Sequence, residues 1–125
     1  MIFDWDDFRK LADELRQRED EAAKRTAVSR LYYAIYWRAR NLLEAEGFVY
    51  RQGEQSHQQI WQEFKRRGMT HRAIAFSGLE LRDKRVEADY FEEIENIEKL
   101  TKSAFAIAEK MTVYLQQIEK KTENQ

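Results

Sequence analysis

The sequence predicts an all-α fold, an antiparallel bundle of four to five helices, on three observations. Proline is absent and only four glycines interrupt 125 residues, so the strongest helix breakers are nearly missing. The chain is rich in Glu, Lys, Arg, Ala and Leu, which lose little rotamer freedom in a helix. Its apolar residues recur at intervals of three and four, the period of a helix with one buried face. The length suits one domain, read as residues 1–120 with a polar tail over 121–125.

Each element follows from its own pattern. A first helix is expected from about Asp4 to Arg18, with Trp5, Phe8, Leu11, Ala12 and Leu15 on one side. A second runs from about Asp20 to Glu46, and Gly47 is placed to end it. A third, about Ser56 to Arg67, carries Ile60, Trp61 and Phe64 and stops at Gly68. A fourth, about His71 to Arg85, has Thr70 as its cap and Ile74, Leu79 and Leu81 as its apolar positions. The last, about Tyr90 to Glu119, shows one stripe: Phe91, Ile94, Ile97, Thr101, Ala104, Ala108, Met111, Leu115 and Ile118. Asp89 is read as its N-cap, with Glu92 three residues later at capping-box spacing.

Composition narrows the function classes. Without cysteine there are no disulfides, thiol nucleophiles or thiolate metal sites, which fits a cytoplasmic protein. No apolar run reaches the roughly 18 residues that a membrane span needs, so no membrane partner is expected. Two histidines without paired ligand spacing give no metal site, and no cofactor motif is present. Charge is balanced overall, yet residues 51–88 hold 8 Lys+Arg against 5 Asp+Glu, and residues 89–125 hold 5 against 8. The plain reading of that imbalance is a solvated helical surface; a local basic face for nucleic acid is the alternative.

Two stretches stand out. In the second helix, Val28, Leu31, Tyr32, Ala39 and Leu42 gather on the core face around Ile35, while Arg30, Tyr33, Trp37, Arg40 and Glu44 fall opposite. Rings on a back face suit a subunit contact, extra core, or a stacking surface for bases. Tyr33 and Trp37 are therefore the candidate interface residues of a homodimer. The other stretch, Leu81–Tyr90, gathers Arg82, Lys84 and Arg85 before Asp89 and Tyr90, and it contains no histidine.

The string Ser29-Arg30-Leu31-Tyr32-Tyr33-Ala34-Ile35-Tyr36 in a long helix ended by Gly47, His57 followed by Phe64, and Ala88-Asp89-Tyr90 before a last helix occur in that order. Together they resemble the HEPN domain (higher eukaryotes and prokaryotes nucleotide-binding), in its Ala-Asp-Tyr subgroup, over about Ala22 to Ala108. The resemblance implies a helical bundle that pairs into a dimer and, in many members, a metal-independent ribonuclease acting as a toxin or defence effector. It also implies a minimal nucleotidyltransferase as antitoxin partner. Nuclease members carry an Arg, four to six residues, then a His, often with a Tyr two positions on. Aligning Tyr90 with that tyrosine puts Ala88 where the histidine belongs, and alanine transfers no proton.

The expectation is thus a HEPN-type dimer with a degenerate nuclease motif. It serves as an RNA- or nucleotide-associated binding or adaptor module in a toxin–antitoxin, defence or RNA-processing system. Arg82, Lys84, Arg85, Arg30 and Arg40 are its candidate phosphate contacts. One alternative is an active ribonuclease built on Arg82, Asp89 and Tyr90, or on Arg66 and His71, whose spacing satisfies the motif literally, as does that of Arg51 and His57. The resemblance also makes Tyr90 an acceptor of nucleotide groups from the partner enzyme. The other alternative is a purely structural protein–protein subunit. The plainer roles are a helix-start residue bonding to backbone, or one packing under the Arg82–Tyr90 turn, for His57, an exposed first-turn residue for His71, and turn residues for Asp89 and Tyr90.

Overall fold

A computed structural model describes residues 1–50 and 56–123. They form an all-α bundle of five helices: α1 (Asp6–Leu15), α2 (Glu21–Ala45), α3 (Ser56–Arg67), α4 (Met69–Tyr90) and α5 (Ile97–Glu123). The 25-residue α2 is the axis of the molecule. It packs against all four other helices, whereas α1 touches α2 alone. Trp5 lies against Trp37, and the Lys24 ammonium reaches the Arg16 carbonyl at 2.9 Å, so α1 and α2 run antiparallel. Arg25 meets Ala88 while Tyr33, further along α2, faces Arg85, so α4 also runs antiparallel to α2.

The caps explain most boundaries. Asp20 accepts from the Ala23 amide at 3.1 Å and opens α2. Gly47, at φ +96°, closes it: the Phe48 amide donates to the Leu43 carbonyl and the Gly47 amide to Glu44. That pair of bonds is a Schellman end, which needs a left-handed residue.

The connection between α4 and α5 departs from expectation. Arg82–Tyr90 is not a turn; α4 continues through it to Tyr90. Asp89 therefore does not cap the last helix, and Tyr90 ends one helix rather than starting another. The cap of α5 is Asn96, whose Oδ1 accepts from the Lys99 amide at 3.0 Å. The physical reason is burial: Leu81, Arg85 and Ala88 continue the inward face of α4 past Arg85. Arg25 then completes the helix end, donating to the carbonyls of Ala88 (3.2 Å), Phe91 (2.6 Å) and Glu92 (3.4 Å). Phe91 and Ile94 consequently lie in the connection and not in α5.

Smaller differences follow the same logic. Thr70 sits inside α4, which begins directly after Gly68, whose carbonyl accepts from the Arg72 amide at 2.7 Å. Leu11 and Leu79, read as apolar face residues, are 40% and 37% exposed. α5 runs on to Glu123, into the expected tail. No described helix is long and apolar enough to cross a membrane.

Candidate functional site

The chemistry collects where α2, α3 and α4 meet, around the Tyr32 hydroxyl. Tyr32 is fully buried because it lies on the α2 face that receives α3 and α4. Its oxygen accepts from the Trp61 indole N–H at 3.1 Å and stands 2.8 Å from His57 Nδ1. Indole nitrogen only donates, so the phenol's own proton is left for His57. Nδ1 is then the acceptor, and a neutral His57 carries its proton on Nε2.

Trp61 owes its position to a close approach of α3 to α4. A Cβ added at Gly78 would lie 2.6 Å from the indole ring carbons, so only a glycine lets the ring sit there. His57, in the first turn of α3, stacks on Tyr36 at 4.3 Å between centroids and meets Tyr33 edge-on at 5.8 Å. α4 delivers Arg85, whose guanidinium carbon stands 5.5 Å from the centres of both the Tyr32 and Tyr33 rings. It donates to Asp89 Oδ2 at 3.0 Å, and the Ser29 hydroxyl donates to the same oxygen at 3.2 Å. Arg30 faces Tyr33 as well, at 5.4 Å.

Burial and these cations set the protonation states. Burial first, then the Arg85 and Arg82 charges, holds His57 down to about 4, so it is neutral at pH 7. Burial raises the Tyr32 phenol, and burial with a hydrogen bond to Tyr50 pushes Tyr36 up to about 12. Among the described residues, Asp89 pairs with Arg85, and no ion pair joins Arg82 to a carboxylate. The Nε–H groups of Arg82 and Arg85 are buried without an acceptor.

The structure therefore brings an imidazole to the arginine cluster that the local sequence lacks. Sequence reasoning placed His57 either at a helix start, bonded to backbone, or packed under Arg82–Tyr90, and missed Tyr32, Tyr36, Trp61 and Ser29 as its surroundings. The available signal was the run of hydroxyls at Ser29, Tyr32 and Tyr36, which share one side of α2. Polar atoms on a buried face need partners from elsewhere in the fold.

Other predicted residues fall away from this corner. Lys84 turns toward a hollow of about 290 Å³ lined by Phe91, Glu93 and Lys99. Arg40 stacks over Tyr50 at 3.7 Å and pairs with Glu44 at 3.0 Å. Trp37 lies parallel to Trp5 at 4.2 Å, and Tyr33 is half-buried against the core. Arg66 is 75% exposed and pairs with Glu63, whereas His71 packs beside Phe64 with Nε2 buried and unpartnered. No contact among the described residues joins Arg66 to His71. His71 is in the first turn of α4 but half-buried rather than exposed. Tyr90 is 72% exposed. Arg51 lies outside the described residues.

A groove of about 1300 Å³ opens on the opposite side of α2, between α1 and α5. Its floor is Leu31, Ala34, Ile35 and Leu42, and the Arg38–Glu119 pair crosses its rim at 2.7 Å. Its lining holds no imidazole or phenol. No described group of three or more His, Asp or Glu side chains could hold a metal ion. Neither a family model, nor a curated protein, nor a solved structure matches the chain.

Proposed function

We propose that this chain is a HEPN-type helical module that binds RNA at the His57–Arg82–Arg85 corner without cleaving it. The observation carrying this reading is the charge count there among the described residues: two guanidiniums, one carboxylate and a neutral imidazole. A phosphate restores the balance, and guanidinium forks suit its oxygens. Tyr33, half-buried with Arg30 and Arg85 over its ring, sets an aromatic group among the cations, the combination that single-stranded RNA sites use. His57 contributes a neutral Nε2–H donor.

The corner is poor at proton transfer. A base works best with a pKa near the working pH, and His57 near 4 is far below it. Its Nδ1 is also engaged by Tyr32. Binding is tested by electrophoretic titration of labelled single-stranded RNA. Arg82→Ala should weaken affinity about tenfold or more, the range for a hydrogen bond to a charged group. It should also lower the salt slope by about one phosphate's share. Equal affinity of both proteins removes the site.

The alternative, a metal-independent ribonuclease, has one observation in its favour: His57 feels the charges of Arg85 and Arg82, the pairing of residue types such catalysis uses. Incubation of RNA with the protein in EDTA separates the readings. Cleavage that disappears in His57→Ala makes the protein an enzyme; intact RNA at micromolar protein leaves it a binder.

A further inference from the structure

The outer face of α4 carries exposed apolar side chains along its length, and among the described residues the Lys65 ammonium stands 5.3 Å from the Phe76 ring centre. Met69, Phe76 and Leu79 are 88%, 54% and 37% exposed, and Val86 is half-buried. Arg72 and Asp83 are exposed between them. These six positions step by three, four, three, four and three, the spacing of the contact seam in paired helices. The residues that face the chain's own core, Ile74, Leu81 and Ala88, occupy the opposite side.

We infer that this face pairs antiparallel with the same face of a second copy, across a two-fold axis passing between Ser77 and Gly78. In an antiparallel pair each first-type seam position meets a second-type one. Phe76 then lies against Leu79 of the other copy, Met69 against Val86, and Arg72 against Asp83. The two charges in the seam are opposite in sign and equidistant from the axis, so this register alone pairs them with each other. A parallel arrangement sets Arg72 on Arg72 and Asp83 on Asp83. Sliding one helix by a heptad sets Asp83 on Leu79, or Arg72 on Phe76. Each of these leaves a charge repelled or desolvated, which selects the antiparallel register. The contact is isologous, as two-fold symmetry requires. It differs from the Tyr33/Trp37 face of α2, and it does not depend on RNA binding.

The test is sedimentation velocity of the full chain over a concentration series. The wild-type chain should reach twice the chain mass, and Phe76→Glu should sediment as a monomer with its helical circular dichroism intact, because Phe76 lies outside the core. Arg72→Asp and Asp83→Arg should each weaken the dimer about tenfold or more by setting like charges together, and the double swap should restore it. A wild-type monomer at 100 μM (on the order of strong self-association's upper limit) overturns the proposal. So does a dimer that survives Phe76→Glu, or a double swap that fails to rescue. Dissociation by Trp37→Ala in place of Phe76→Glu assigns the contact to α2.

Discussion

The two sides of α2 differ in what they enclose. Toward α3 and α4, Tyr32, Tyr36, His57 and Trp61 crowd around one hydroxyl, with Arg85 above the rings. Toward α1 and α5, small aliphatic residues floor a broad groove rimmed by solvent-facing pairs. The second side holds a groove of about 1300 Å³, whereas the perturbed imidazole and phenols are on the first. A charge on the groove rim is screened by water, whereas one beside the His57 ring acts across protein and shifts its protonation.

Three substitutions sharpen this contrast, in decreasing order of effect. Gly78→Ala should act most strongly. The new methyl meets a buried indole ring at 2.6 Å, and overpacking costs about 1–3 kcal/mol, outweighing the helix propensity gained. Moving Trp61 also withdraws the donor from Tyr32. Thermal melting should drop by several degrees with a change in tryptophan fluorescence; unchanged melting means that α3 and α4 separate freely and the corner is not rigid.

Next comes pH. His57 protonates near 4 in the folded chain and at about 6.5 when unfolded, so the unfolded chain binds more protons between those values. Stability from keeping His57 neutral is present in full above 6.5 and is lost as pH falls toward 4. Urea unfolding at pH 7 and 5 should show that loss, and His57→Gln should flatten it. His71, also lowered by burial, contributes the remainder. An equal slope in wild type and His57→Gln contradicts the assigned environment. Smallest is Arg38→Ala on the groove rim. Both partners of its pair are about one-third exposed, so the loss should stay within about 1 kcal/mol. A larger loss shows that the groove is structurally tighter than the corner.

Much of the bundle was legible in the sequence. Asp20 and Gly47 bound α2 as their chemistry demands, and α3 has the predicted limits. The α4–α5 boundary was not, because Asp89 and Glu92 imitate a cap while the acceptors of Arg25 lie more than sixty residues away in sequence. Leu79 was read as core because periodicity counts apolar residues without knowing which side a neighbouring helix covers.

Composition and periodicity determined that this chain is helical, which residues form its main core, and that no thiol chemistry is available to it. Those properties arise from local backbone preference and from one face per helix. Only tertiary structure decided that the Tyr32 hydroxyl meets His57 Nδ1 and that Arg85 lies over the Tyr32 ring. Desolvation and hydrogen bonding depend on distance in space, and three separate helices supply the groups.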